Sequence, residues 1–489
     1  MTFWTPDSVR SAIGGSWLER PDTSAPAVEL FGASTDSRTL TPGQVFFALR
    51  TEKADGHAYI RDALLRGAGL VVVDRPESVL PLDSSTPARG VLRVPDVRAA
   101  LLRLAAAYRR SFERTRVIAV GGSNGKTTTV RLLEQVLGRH LRGSASPKSF
   151  NNDLGVPLTV LGAKRTDQFL ICEVGTNAPG ELRPLAEALA PDIGVITSIG
   201  REHLEGFGSI EGVVREEASL AAGLREGGVL IHSSDSPELR DAARPLLAAQ
   251  QAISLTFGMS AEADLRVSAV STGMSGTAFT LNERETFRVG LLGAHNALNA
   301  AAVVAVARRL GLSHEEIRAG LAAARGAPMR LEPVESSGVW FLNDAYNANP
   351  ESMLAALRTF DEACAGFARR VVVLGDMLEQ GDAGPRVHAE IGAAVAGAAP
   401  DLAVFVGPLM AHAADAARAW PGGPARSTIV TIGSARGEDV GRIASLLRPG
   451  DAVLLKGSRG MSLERVLAAH SDAHRSATPD ADQPAPHHP

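Results

Sequence analysis

The segment 117–137, VIAVGGSNGKTTTVRLLEQVL, constrains this chain more than any other. An apolar run, Val117 to Val120, enters the turn Gly121-Gly122-Ser123-Asn124-Gly125-Lys126-Thr127-Thr128, and a helical pattern continues to Leu137. Strand, glycine turn and helix in this order predict an α/β unit that cradles phosphate. Glycines let the backbone approach phosphate oxygens, and a helix N-terminus aims N–H groups and positive dipole at them. Lys126 can neutralise β/γ-phosphate charge, and the Thr127 hydroxyl can ligate Mg²⁺. The turn departs from the usual G-x-x-x-x-G-K-[ST], because Val120 stands five positions before Gly125. ATP binding is the reading of this segment; the alternative is a glycine turn ahead of an ordinary amphipathic helix.

The rest of the chain supplies the frame for that loop. VIAV, FLICEV, IGVITSI and GGVLIH are apolar runs of the length of central parallel strands, separated by helical segments. They predict a doubly wound α/β domain over residues 113–327, with ligands at the carboxyl ends of its strands. A second such region begins near Pro328, with VWFLN, VVVLGD, LAVFVG and AVLLKG as strands. Before Val117, the run QVFFAL, a helical stretch near 58–67, the strand LVVVD and a helix over 101–110 read as a smaller α/β domain. The expected division is therefore 1–112, 113–327 and 328–470. Residues 471–489 hold no Ile, Leu, Val or Phe and four prolines, so a disordered tail is expected there.

Length and composition agree with three domains. The chain has 489 residues, 45% hydrophobic and 21% charged, enough for several packed cores. With 50 basic against 54 acidic residues and 4% aromatics, neither a basic footprint nor base-stacking surfaces are present, so no nucleic-acid partner is expected. Cys172 and Cys364 are too few for a disulfide framework or a cysteine zinc site. No secretory leader is legible at the start, and the longest uncharged apolar stretch, 289–307, carries His295, Asn296 and Asn299, which favours a soluble helix over a membrane span. A cytoplasmic protein without membrane insertion is the expectation.

The short loop GSNGKTTT, with no glycine at its head, resembles the ATP loop of the Mur ligase family, enzymes that join amino acids or peptides to cell-wall precursors. The resemblance extends through STDSR (34–38), DGHAYIRDALLRGA (55–68), SFNNDLGVPLT (149–159), EVGTNAPGEL (173–182), REHLEGFGSIEGV (201–213), LLGAHNALNAAAV (291–303), NDAYNANPESM (343–353), VVVLGDMLEQG (371–381) and LKGSRGMSLE (455–464). YNANPESM, LGDMLEQG and KGSRGMSLE look like the family member that acts last in the cytoplasmic series. That resemblance implies three domains: a small α/β domain, a central phosphate-loop sheet and a C-terminal Rossmann-like domain. It implies an ATP-dependent amide ligase that joins D-Ala-D-Ala to UDP-N-acetylmuramoyl-tripeptide through an acyl phosphate, as a monomer. A relative adding a single amino acid and an inactive nucleotide-binding partner subunit are the alternatives.

The resemblance also assigns roles. Gly122, Ser123, Asn124, Gly125, Lys126, Thr127 and Thr128 would hold the ATP phosphates, and two Mg²⁺ are expected. Thr127 and Glu173 would hold one, and His203 would lie near the second. Fourteen residues after His203 the family carries a carbamylated lysine; here that position is Glu217, with no lysine nearby. The expectation is that Glu217 supplies the same negative charge, directly or through water, without CO₂. Glu216 is the lesser candidate, and a solvated helix face the alternative to both. His295, Asn296 and Asn299 would lie around adenine and phosphates, though they also read as helix-capping residues. Arg330 would reach the γ-phosphate, and Asp344 would bind ribose. Asp36, Ser37 and Arg38 resemble the uridine-nucleotide contact. Asn151 and Asn152 would contact the muramoyl peptide; Tyr346, Asn347, Lys456, Ser458 and Arg459 would bind substrate. Asn349-Pro350 also reads as a helix cap.

Overall fold

A computed structural model describes residues 3–21, 29–52, 54–78, 90–147, 149–421 and 427–477. Three sheets follow one another along the chain. The first contains Ser16–Glu19 (β1), Ala33–Ser34 (β2), Val45–Phe47 (β3), Leu70–Val73 (β4) and Gly90–Arg93 (β5), in the order β1-β5-β4-β3-β2. Only the β1–β5 pairing is antiparallel.

The second sheet has nine strands: Arg116–Gly121 (β6), Gly143–Ala145 (β7), Phe169–Glu173 (β8), Ile193–Ile196 (β9), Val229–Ser233 (β10), Ile253–Gly258 (β11), Leu265–Gly273 (β12), Gly276–Leu281 (β13) and Glu285–Val289 (β14). Their order is β14-β13-β12-β11-β10-β9-β6-β8-β7, parallel from β7 to β12 and antiparallel through β12, β13 and β14. The chain runs from β8 on one side of β6 to β9 on the other, and such a switch point leaves a crevice at the carboxyl ends of the strands. The expected parallel sheet is thus extended by an antiparallel meander. Alternation along β12 and β14 buries one face of each and leaves the other to solvent, so no helix is needed on that side.

The third sheet contains Glu332–Ser336 (β15), Val339–Asp344 (β16), Arg369–Gly375 (β17), Leu402–Val406 (β18), Thr428–Ile432 (β19) and Asp451–Lys456 (β20), in the order β15-β16-β20-β17-β18-β19. All pairings but β15–β16 are parallel. Asp344 and Lys456, the last residues of β16 and β20, are register partners at the edge facing the second sheet's switch point.

The helix predicted over 101–110 starts earlier, at Val97, where the Asp96 side chain accepts from the Ala99 N–H. Its Leu101, Leu104 and Tyr108 share one buried cluster with strands of the first and second sheets and with Leu182 and Leu185. The apolar stretch at 289–307 forms the helix Ala294–Arg309, buried against the second sheet. No helix among the described residues is long and apolar enough to cross a membrane. The tail expectation needs one correction. The helix Glu464–Ala477 continues through 471–477, where Ser471 donates to the Leu467 carbonyl and pairs with Ser336. A polar sequence can extend a helix whose first turns are docked by Val466. Residues 478–489 lie outside the described residues.

Candidate active site

The phosphate loop connects β6 to the helix Lys126–Leu137. Gly122 has φ +110, and a Cβ there would lie 2.4 Å from Thr197 Oγ1; Gly125 has φ +90, and its Cβ would meet Asn299 Oδ1 at 2.5 Å. Backbone conformation and space both demand glycine. The segment after β9 pins the loop. Ser123 N–H donates to the Ser198 carbonyl (2.7 Å), Thr197 Oγ1 donates to the Asn124 carbonyl (2.6 Å), and Gly200 N–H donates to Ser123 Oγ (2.9 Å).

A cavity of about 480 Å³ opens at the carboxyl ends of β6, β8, β9 and β16. Ser123, Asn124, Gly125, Lys126, Thr127 and Thr128 line it from the loop, and Asn151, Glu173, His203, His295, Asn296 and Asn299 from the rest of the second unit. Arg330, Asp344, Tyr346, Asn347 and Lys456 line it from the third. A second cavity of about 100 Å³ holds Ser458 and Arg459.

Lys126 Nζ donates to the carbonyls of Gly122 and Ser123 and lies 3.6 Å from Glu202. Burial works against its ammonium, but Glu202, Glu217 and Glu173 outweigh that and hold its pKa above the ordinary lysine value. Burial likewise pushes the Glu202 carboxyl up to about 7, opposed by Lys126 and reinforced by Glu217. Glu202 lines the cavity without being a candidate from the sequence, where its one signal is a carboxylate directly before His203.

Glu173 ends β8 at 1% exposure; its Oε1 accepts from Asn151 Nδ2 (3.0 Å), while Oε2 is buried without a hydrogen-bond partner. An orphan carboxylate oxygen is costly unless something fills it. With the Thr127 hydroxyl on the same cavity wall, the donor set fits one Mg²⁺, an oxygen-seeking ion that keeps several waters. No group of three or more His, Cys, Asp or Glu among the described residues could hold a metal by itself. His203, at φ +48, pairs through Nδ1 with Glu379 at 2.6 Å.

Several side chains join the second unit to the third. Arg330 Nη2 donates to Thr127 Oγ1 (3.0 Å), and its guanidinium sits 4.3 Å from the Tyr346 ring centre. Tyr346 Oη donates to Ser149 Oγ (2.9 Å), Asn349 Nδ2 to Asn124 Oδ1 (2.9 Å), and Arg201 pairs with Glu351 and Glu390. Asn349 also caps the helix Pro350–Ala363, so the capping reading and a contact with the loop are both present. Lys456 Nζ binds Asp344 Oδ2 (2.7 Å) and the Asn347 carbonyl (2.9 Å), at 2% side-chain exposure. Asn296 Nδ2 donates to the Leu292 carbonyl, and Asn299 Nδ2 to Asn296 Oδ1. Burial pushes His295 down to about 4.

Three residues sit otherwise than the sequence readings have them. Glu217 is 1% exposed and does not line the cavity; its Oε2 accepts the Gly122 N–H at 2.7 Å from beneath the loop. A glutamate stem is shorter than a carbamylated lysine, and the buried N–H captures the carboxylate before it reaches the cavity. Gly122 for the same reason turns its N–H away from the phosphate side. Glu216 is no solvated face either: at 7% exposure it accepts from Gly180 N–H, Leu182 N–H and Thr176 Oγ1, at the start of the helix Leu182–Leu189. Asn152 also lies off the cavity, its Oδ1 accepting from Leu154 and Gly155 N–H. Asp36, Ser37 and Arg38 form a separate turn in the first unit, where the Asp36 carboxylate holds the Arg38 guanidinium at 2.7–3.2 Å.

The loop-bracing role of Glu217 has a testable consequence. Glu217→Ala leaves the Gly122 N–H unpaired, and the KM for ATP rises about tenfold or more, from the ~1.5–3 kcal/mol of a hydrogen bond to a charged group. Glu217→Gln keeps an acceptor and stays within about threefold. Initial-rate measurement of phosphate release, with and without bicarbonate, checks both; bicarbonate leaves all three proteins unchanged.

Three family models match the chain: "Mur ligase family, catalytic domain" over residues 31–109, "Mur ligase middle domain" over 120–307 and "Mur ligase, glutamate ligase domain" over 329–459. The chain is 35% identical over 440 residues to the UDP-N-acetylmuramoyl-tripeptide--D-alanyl-D-alanine ligase of Bacillus subtilis, covering 90% of this chain and 92% of that one. A crystal structure of MurF from Acinetobacter baumannii superposes with a TM-score of 0.83 at 29% identity, covering 96% and 99% of the two chains. MurF ligase from Thermotoga maritima in complex with ADP gives a TM-score of 0.76 at 25% identity, covering 92% and 99%.

Proposed function

The chain belongs to the Mur ligase family, and from that premise we propose how its site works as an ATP-dependent ligase joining D-Ala-D-Ala to UDP-N-acetylmuramoyl-tripeptide. A carboxylate oxygen of the tripeptide attacks the γ-phosphorus of ATP, and ADP leaves. The amine of D-Ala-D-Ala then attacks the acyl carbon of the acyl phosphate. The tetrahedral intermediate expels inorganic phosphate, which carries away the carboxylate oxygen, and an amide bond remains. The chemistry is largely intrinsic to the mixed anhydride, so the protein contributes alignment and charge neutralisation.

The observation that carries this reading is the convergence of Lys126, Thr127 and Glu173 with Arg330 from the third unit on one cavity. Lys126 and Arg330 offset the charge of the transferring phosphoryl group, and the loop N–H groups hold it in line. Thr127 and Glu173 would hold one Mg²⁺, with His203 on the side of a second, and such an ion would supply neutralisation of phosphate charge. Asp344, clamped by Lys456, takes the ribose, and His295, Asn296 and Asn299 border the adenine side. Asp36, Ser37 and Arg38 receive the uridine nucleotide, so residues 1–112, 113–327 and 328–470 serve the UDP precursor, ATP and the incoming amine. Asn151, Tyr346 and Asn347 face the peptide arm. Closure of the third unit on the second, through Arg330, Asn349 and Arg201, excludes water from the acyl phosphate. Action as a cytoplasmic monomer belongs to the same proposal.

The test is phosphate release from ATP in bicarbonate-free buffer. The expected result is release that requires both UDP-muramoyl tripeptide and D-Ala-D-Ala, with UDP-muramoyl pentapeptide identified by mass. Release supported by a single amino acid in place of the dipeptide, or none with both substrates, contradicts the reading.

A further inference from the structure

Two residues with left-handed backbone meet across the boundary between the second and third units. His203 has φ +48 and ψ +35 at the start of the helix Leu204–Phe207, and Glu379 has φ +62 in the loop after β17. Residues other than glycine adopt this conformation rarely, and it persists only where the surrounding structure holds it in place. Here the two side chains point at each other: His203 Nδ1 lies 2.6 Å from Glu379 Oε2.

Each partner is fixed from within its own unit. The His203 carbonyl accepts from the Gly206 N–H (2.9 Å) and the Phe207 N–H (3.0 Å). A Cβ on Gly206 would lie 2.4 Å from the Asn177 carbonyl oxygen, so this turn packs tightly on the segment after β8. In the third unit, the Met377 N–H donates to His388 Nε2 (3.0 Å) and the Leu378 N–H to Ser458 Oγ (2.9 Å), while Gln380 is buried on the other side of Glu379. A Cβ on Gly381 would come within 3.7 Å of Glu205 Cα, so the two segments also approach through their backbones. A carboxylate oxygen only accepts hydrogen bonds, so the proton of a neutral His203 sits on Nδ1 and Nε2 is left with a lone pair. Nε2 has no partner among the described residues, and His203 lines both cavities.

We infer that Glu379 is a positioning residue: reaching across from the third unit, it fixes the His203 ring and its tautomer, so that Nε2 presents its lone pair to the phosphoryl-transfer site. A carboxylate that orients a histidine through one ring nitrogen sets what the other can do. Because imidazole and carboxylate stand on different units, the ring is set only when the two units are together. ATP bound to the second unit alone meets an unaligned His203, and phosphoryl transfer is thereby tied to closure. The inference rests on the ligase reading and adds a residue to it. The competing role for the Glu379 carboxylate is to receive an incoming ammonium in the smaller cavity, which it also lines. The two roles give opposite kinetic signatures.

The Glu379 side chain is 61% exposed, so its replacement leaves the fold intact. Glu379→Ala lowers kcat for phosphate release roughly 10–100-fold, the scale of an outer carboxylate that orients a working histidine, and leaves the KM for D-Ala-D-Ala at the parent level. Glu379→Gln keeps an acceptor for the Nδ1–H and stays within about threefold of the parent kcat. The second readout is spectroscopic. In ¹⁵N–¹H correlation spectra of the imidazole-labelled full chain saturated with ADP, above the ordinary histidine pKa, the signals lost in His203→Asn identify the ring. The parent and the Gln variant show the Nδ1–H tautomer, and the Ala variant moves to the Nε2–H form. An Nε2–H ring in the parent, an unchanged ring in the Ala variant, or an unchanged kcat in that variant overturns the inference. A raised KM for D-Ala-D-Ala at unchanged kcat makes Glu379 an ammonium partner instead. A parent that releases no phosphate with both substrates overturns the ligase reading itself, and that result is read before any variant is made.

Discussion

Lys126→Met lowers kcat/KM for ATP by about a thousandfold or more, the scale on which a cation aimed at a transferring phosphoryl group acts. In the protein as it stands, Lys126 is the cation around which Glu202, Glu217 and Glu173 are gathered. A triphosphate entering this cavity brings further negative charge toward three carboxylates, and methionine keeps the volume while removing the positive charge. Binding and chemistry therefore fall together, measured as ATP affinity by calorimetry and as the single-turnover rate of phosphate release. Lys126→Arg recovers little, because a planar fork does not fit a slot shaped for a point charge between the Gly122 and Ser123 carbonyls. A methionine variant within tenfold of the parent would remove the lysine from phosphoryl transfer.

The second large effect is on stability and lies far from the cavity. Arg109 is 3% exposed and donates through Nε to the Leu189 carbonyl (2.8 Å), and through Nη2 to the Ala190 carbonyl (2.8 Å) and Asp192 Oδ2 (3.0 Å). It thereby closes the carboxyl end of the helix Leu182–Leu189, whose cap residue Ala190 is left-handed at φ 40. Burial pulls its pKa below the ordinary arginine value, against the attraction of Asp192, yet the guanidinium stays charged. Arg109→Met leaves two carbonyls unpaired and strips one partner from Asp192, which costs about 3 kcal/mol. The melting transition falls by roughly 6–12 °C. Calorimetry checks the shift, and activity at low temperature is unchanged because Arg109 lines neither cavity.

The contrast between these residues shows what a sequence exposes and what it hides. Lys126 was legible because its motif encodes local backbone geometry: a strand, two glycines with positive φ and a helix start within a dozen residues. The central strands VIAV, FLICEV and IGVITSI were legible because both faces are covered, which leaves an unbroken apolar run. The meander of β12, β13 and β14 was missed because one of its faces meets solvent and its strands carry polar residues at alternate places. Glu216 and Glu217 differ from expectation for another reason. The family position implies a carboxylate facing the site, and only the fold brings Gly122, Gly180 and Leu182 N–H groups to this pair. The pairing of His203 with Glu379 likewise joins residues 176 positions apart, which no local pattern encodes. Arg459 lies in one sequence block and Gln380 and Leu378 in another, and their shared cavity exists only once β17 and β20 lie side by side.

The acyl phosphate is the step on which the arrangement of Lys126, Arg330, Thr127 and Glu173 bears most directly. With the terminal carboxylate of UDP-muramoyl tripeptide labelled with ¹⁸O, ATP and D-Ala-D-Ala are added and the released phosphate is analysed by mass. Transfer of one ¹⁸O atom into inorganic phosphate is the predicted result, because the carboxylate oxygen that attacks the γ-phosphorus leaves with it. Unlabelled phosphate, with the pentapeptide still formed, would contradict activation through an acyl phosphate.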